Sequence, residues 1–490
     1  IQSQPGTTTW RDDVRAVYKA AVNYVADPVD TVTGAFYIDE TDVVLPGPFS
    51  LTIRRNYNSQ NPLIGSLGCG WKLSLNPFLV DQDGKRFAAE LDGTVIVYKY
   101  NRQTNRWEVS PEDNPELSNF NQQGIGSSAS PFHSYIENDV LYGADGSKRF
   151  FEDGLLKKWV DARGNILTFS YDNEKLSRIE SSNGDFCGVH YNHEENISEI
   201  YAKDGRHVSY SYNSQGDLVK VTLPNTASIT YEYDRAHRII RETKPHGKVI
   251  ENIYDGQGRV KEQRSPMGPQ QEMVTTATFE YADGKTIVTD AEGSITTYQI
   301  HDKQIYKITD PLGFTTLQAW FIDKESWFDP ETEKVVEWNQ KGGAIRSLKS
   351  TTDKRGLTTS YLYDSRGNPE IITLEGADLT GSGESKVKNK LAYNERNLCT
   401  EEEVYGQKTL TTYDTSFPYL PKRIEKYSGN TLISYIDFDY NSLGQLEKED
   451  RSGEITIWNY NDRGFPRKKI QVTGTEDPDV VTTYAYNHQG

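Results

Sequence analysis

A tyrosine followed by Asp or Asn returns in this chain at Tyr171-Asp172, Tyr191-Asn192, Tyr212-Asn213, Tyr233-Asp234 and Tyr254-Asp255, in steps of 20, 21, 21 and 21 residues. A period so short and even requires a small unit made many times, and every later inference must fit that repeat. Within it, Ser228 to Tyr233 and His207 to Tyr212 alternate aromatic or β-branched residues with small or polar ones, the two-residue rhythm of a half-buried strand. The two tyrosines of each Tyr-x-Tyr therefore share a face. Asp255-Gly256-Gln257-Gly258-Arg259 and Asn213-Ser214-Gln215-Gly216-Asp217 then supply an Asx side chain able to bond backbone amides and a glycine tolerant of positive φ. A second strand follows, Leu218 to Val221 in one unit and Arg259 to Glu262 in another. Each period is one β-hairpin. A lone hairpin is marginal in water, so successive hairpins are expected to pair edge to edge into one long antiparallel sheet.

The composition, with 39 Gly and 31 Tyr against only 2 Met, favours turns and strands over helices and points to an all-β chain. A net charge of −17 gives little reason to expect a nucleic-acid or anionic-membrane partner. Cys69, Cys187 and Cys399 are odd in number and far apart, so they read as buried thiols and form neither a metal cluster nor a disulfide framework. No apolar run is long enough for a membrane span. The sequence lacks a starting Met and stops at Tyr486 to Gly490, half-way through another unit, so it is expected to be a piece of a longer chain.

Taken in order, residues 1–29 are expected to form an N-terminal helical segment or plug, because Trp10, Val14, Val17, Tyr18, Ala21 and Val25 line one face of a helix. Residues 30–166 read as a β region preceding the repeats. Within it Pro46 and Gly47 mark a turn, while Gly65, Gly68 and Gly70 run into Trp71. That glycine group lacks the following helix of a dinucleotide loop and signals close backbone approach instead. Residues 167–490 are the repeat array, whose period loosens after residue 264 but continues at Tyr363, Tyr440 and Tyr460 with Gly367, Gly444 and Gly464. Ser110 to Ser134 and Gly376 to Lys390 read as loops. The insertion Ala319 to Gly343, with Trp320, Trp327 and Trp338, reads as packing over a sheet edge or neighbouring layer.

No motif carries chemistry. Asp81-Gln82-Asp83-Gly84 lacks the later acidic positions of a calcium loop, and His190 and His193 fall on opposite faces of a strand without a third ligand. Carboxylates are abundant without a defined pair, and no serine sits in a nucleophile elbow. The chain is expected to be no enzyme and to hold no cofactor and no metal.

The pattern Tyr254-Asp255-Gly256-Gln257-Gly258-Arg259-Val260 resembles the YD repeats of the RHS protein family. The stretch Gly34 to Trp71, with Thr41-Asp42-Val43, Leu45-Pro46-Gly47-Pro48, Arg55 and Tyr57, looks like the region that precedes those repeats in bacterial members. Together they cover about residues 30–490. The resemblance implies a strip of β-sheet spiralling into a hollow shell, as in bacterial polymorphic toxins, insecticidal toxin complexes and teneurins. In toxin members that shell protects a C-terminal toxin of the same longer chain until delivery, which implies a secreted or cell-surface protein and secretion machinery as a further partner. The self-cleaving aspartate of such members lies beyond a C-terminal core motif not found in these residues. The alternative is an adhesion or glycan-binding module built on Trp327 and Trp338.

Overall fold

The computed structural model describes residues 24–25, 28–62, 64–73, 79–89, 95–114, 133–267, 271–376, 386–474 and 479–486. Among the described residues, strands pair antiparallel in chain order from Leu79–Gln82 to Val480–Thr483, forming a sheet of 35 strands that is not closed on itself. Thr315–Phe321 pairs directly with Leu348–Thr352, so the hairpin Ser326–Asp329 and Lys334–Glu337 branches off as a flap. A smaller sheet, Tyr37–Leu45, Leu51–Asn58 and Trp71–Leu73, stands apart in sequence before this wall. The expected helix over Trp10–Val25 lies outside the described residues except at its end, where Tyr24–Val25 is extended and pairs with Val29–Asp30. Most of the loops expected over Ser110–Ser134 and Gly376–Lys390 also fall outside them. Of the three thiols expected to be buried, Cys187 is, while Cys69 and Cys399 are only partly covered because they lie near strand ends.

The turn chemistry explains the regularity. Asp255 Oδ1 accepts from the Gln257 and Arg259 amides at 2.9 Å each, and its amide donates to the Arg259 carbonyl. Asn213, Asp234, Asp364, Asn441 and Asn461 repeat the arrangement. These Tyr-Asx turns line one rim of the wall. The opposite rim carries the alternate turns, such as Asp161–Asn165 and Ser181–Asp185.

The strip winds past itself. Asn165 Nδ2 donates to the Leu443 carbonyl at 3.1 Å and Asn183 Nδ2 to the Arg463 carbonyl at 3.3 Å, across sequence separations of 278 and 280 residues. Arg463 also faces Asp185 at 3.4 Å. Each contact joins the alternate-turn rim of the first course to the Tyr-Asx rim of the second. One course thus takes about two dozen strands at roughly 4.8 Å each, at least about 115 Å around and ~37 Å across between backbones.

Curvature identifies the inner face. The unit of residues 28–73 touches Trp159 through Phe49 at one extreme and Thr286 through the Thr31 carbonyl at the other. Those residues lie on the first and last of thirteen consecutive strands, from Leu155–Val160 to Lys285–Asp290. Laid flat, such an arc would stretch roughly 58 Å, whereas a strand of nine residues is only about 30 Å long. The arc must curl around the unit, so the tyrosine face is concave. The opposite face carries charge pairs such as Arg178–Glu180, Arg241–Glu251, Lys390–Glu403 and Arg423–Asp437. The main apolar core fills the space between unit and arc, with Phe36, Leu51, Ile53 and Trp71 against Val208, Val221 and Ile229.

Candidate functional site

The Tyr-Asx tyrosines have a single repeated task. Tyr171, Tyr191, Tyr212, Tyr233, Tyr254, Tyr363, Tyr440 and Tyr460 each donate a hydroxyl hydrogen bond of 2.6–2.9 Å to a carbonyl of the preceding hairpin: those of Leu156, Leu176, Ile197, Leu218, Ile239, Leu348, Pro421 and Leu446. Each ring thus rivets its hairpin to the one before. Burial pushes the Tyr191 and Tyr460 hydroxyls up to about 12, so they remain donors throughout the physiological range. Gly258, Gly367, Gly444 and Gly464 occupy the fourth place of the turn with positive φ, where other repeats place Glu195 at φ 70, His237 at φ 60 and Asn397 at φ 60. Those residues hold the same left-handed conformation at the cost that a Cβ carries there.

The residues expected at the N-terminal motif gather where the unit meets the wall. Trp71 is buried, and its Nε1 donates to the Tyr233 hydroxyl at 2.9 Å, continuing that tyrosine's bond to the Leu218 carbonyl. Gly68, at φ +92, approaches so closely that an added Cβ would lie 2.6 Å from the Gly216 carbonyl oxygen. Gly70 is pressed against the Tyr57 ring. Pro46 and Gly47 belong to the tip between Tyr37–Leu45 and Leu51–Asn58, and a Cβ on Gly47 would lie 2.6 Å from Asn183 Nδ2. At the same tip, Pro48 lies against Gly464 of the second course.

The centre of this interlock is ionic and wholly enclosed. Asp42 and Arg55 side chains are both 0% exposed, with Arg55 Nε 3.0 Å from each carboxylate oxygen. The wall completes the pair: Tyr210 donates its hydroxyl to Asp42 Oδ2 at 2.8 Å, and Arg55 Nη1 donates to the Tyr231 hydroxyl at 2.8 Å. The guanidinium carbon also lies 4.8 Å from the Trp71 ring centroid. Burial pushes the Asp42 carboxyl up, against the opposing pull of Arg55 and Tyr210. The Arg55 guanidinium is held charged because Tyr231 and Asp42 outweigh its own desolvation. Asp42 and Arg55 stood within the family-like stretch, but nothing in the sequence marked them as a pair. The signal was an Asp and an Arg among alternating apolar residues on neighbouring strands, without an obvious exposed face for either.

The aromatic insertion folds back on itself. Phe321 packs edge-on against Trp338 at 5.4 Å, and the Lys349 ammonium lies 3.8 Å from the Trp327 ring centroid. One face of Trp327 is thus already covered by this chain. Among the described residues no group of three His, Cys, Asp or Glu could hold a metal ion, and no helix is long and apolar enough to cross a membrane.

A spiralling wall of tyrosine-riveted hairpins around an N-terminal β unit defines a repeat-built β structure, and comparisons with known proteins find two stretches of it in family models. The RHS Repeat family model matches residues 212–249, and residues 26–98 match a domain of unknown function, DUF6531. These two matches support an RHS/YD-repeat protein. A curated relative, double-stranded DNA deaminase toxin A of Burkholderia cenocepacia (strain H111), is 33% identical over 81 residues, covering 16% of this chain and 6% of the relative. A crystal structure of TcdB2-TccC3-Cdc42 matches 93% of this chain and 26% of that one, at 12% identity and a TM-score of 0.47. The Photorhabdus luminescens Tc holotoxin pore matches 93% and 26%, at 12% identity and a TM-score of 0.43. The chain therefore spans only a small part of the length of these three proteins.

Proposed function

We propose that this chain is a non-catalytic shell that encloses a toxin or effector polypeptide of the same longer chain and shields it until delivery. The observation that carries this reading is the concave tyrosine face of a strip wound on itself. A course ~37 Å across, less about 5 Å of side chain on each wall, leaves an interior roughly 25 Å wide. Beyond the arc filled by the N-terminal unit, that face presents half-buried and mainly uncharged residues, including Thr359, Tyr361, Leu374, Thr409, Thr411 and Ile424. Such a lining offers weak, unspecific contact suited to an incompletely folded chain. The charged groups lie mainly outside in pairs, where they favour solubility. The match to a Burkholderia protein named as a toxin supports a toxin-associated role. On this reading the chain is secreted or held at the cell surface, with secretion machinery as a further partner. Protease protection tests the reading in the complete natural chain. The cargo should resist digestion while the wall is folded and become sensitive once denaturant opens it; cargo cut as fast in the folded protein as alone would refute it.

A further inference from the structure

We infer that residues 28–73 are an internal former on which the wall is wound, so that both the radius of the first course and the seat of the second are set by this unit. The inference concerns assembly and is independent of what the wall encloses.

Sheet twist alone does not bend a strip into a course of fixed radius; open sheets accumulate a propeller twist. Here the bend follows the unit, which fastens the arc at intervals by directed bonds. The Ile197 amide donates to the Ser66 carbonyl at 2.8 Å, and the Val260 amide to the Gly34 carbonyl at 2.9 Å. Lys244 Nζ lies 2.8 Å from Glu40, and Thr286 Oγ1 donates to the Thr31 carbonyl at 2.6 Å. With Asp42 and Arg55 at the centre, these bonds hold the arc from rim to rim.

Among the described residues, the second course has no comparable inner support. Every residue of Cys399–Val404 is only partly buried, as is most of Gln407–Tyr413. Its position is given by the seam to the first course and by Pro48, which reaches past Asn183 to Gly464. The seam must join residues 278–280 apart, a costly closure for a loose chain. Once the former has curved the arc, both rims are already in place and that closure is largely complete. Hairpins form quickly and locally, so the order of these long-range steps decides whether the strip winds or pairs wrongly.

Refolding of residues 1–490 followed by pulsed hydrogen exchange tests this. Amides of Tyr37–Leu45, Leu51–Asn58, His207–Tyr212 and Ser228–Tyr233 should gain protection together, about tenfold sooner than those of Leu446–Arg451 and Glu454–Tyr460. Second-course amides protected as early as the arc, or an arc protected before the unit, would overturn the inference. Gly68→Val supplies a second readout, because its Cβ collides with wall backbone without altering any second-course residue. Native-state exchange at Glu454–Tyr460 and Pro466–Val472 should rise at least about tenfold in that variant. Wild-type exchange there, with the unit itself opened, would show that the second course needs no former.

Discussion

Replacing Arg55 by Met removes the charge while keeping much of the side-chain volume, and so isolates what the buried pair contributes. The Asp42 carboxylate would remain 0% exposed with Tyr210 as its remaining donor among those described above. Removing one partner of a buried ion pair costs about 3–5 kcal/mol, and loss of the cation over the Trp71 ring adds up to about 2 kcal/mol, part of which the Met thioether recovers by packing. We expect about 4 kcal/mol, close to a thousandfold in the local opening constant for Leu51–Asn58. Native-state hydrogen exchange on that strand measures it directly and avoids assuming that the whole wall unfolds in one step. The pH dependence follows with its sign. Arg55 is the largest influence holding the Asp42 carboxyl down, so its removal raises that group further above its unfolded value. A folded state that binds the proton more tightly gains stability as pH falls through the folded pKa, and the variant should therefore recover part of its loss between neutral and mildly acidic pH. The pair replacement Asp42→Leu with Arg55→Met should cost less than Arg55→Met alone, because no charge is left buried and the remaining loss is the Tyr210 hydroxyl's acceptor. A single Arg55→Met variant that costs under about 1 kcal/mol, or that weakens on acidification relative to wild type, would refute the reasoning.

Other outcomes follow from the repeat geometry. Tyr363→Phe deletes the 2.6 Å bond to the Leu348 carbonyl and should cost about 1–2 kcal/mol, read as faster exchange across Leu348–Thr352. Glu195→Gly should stabilise its turn by up to about 1 kcal/mol in urea titration, because Glu195 holds a φ of 70 where several repeats carry glycine, whereas Gly258→Ala should destabilise by a similar amount. Arg463→Met removes the contact to Asp185 across the seam and should raise exchange at the Asn461–Phe465 turn several-fold, with no change in the flap at Ser326–Asp329.

The hairpin wall was legible because its causes are local. A Tyr-x-Tyr strand, an Asx bond to amides two and four residues on, and a positive-φ fourth place are all set within about ten residues. The meeting of Gly68 with Gly216, of Trp71 with Tyr233 and of Asp42 with Arg55 was not legible, because each depends on how far the strip curves before it returns. Close approach could be read at Gly68 and Gly70, but the partner could not. The tyrosine hydroxyls illustrate the same limit. Their ring burial follows from alternation, whereas their bond to a carbonyl fifteen residues back in the regular array needs the stagger between hairpins, which no single hairpin contains.

The most direct test places a photo-cross-linking residue at Ile424 on the concave face or at Glu425 on the opposite face, in the complete natural chain. The account predicts that the probe at position 424 captures the enclosed polypeptide while the probe one residue further captures none. Equal capture from both positions, or capture from 425 alone, would contradict a shell that holds its cargo inside.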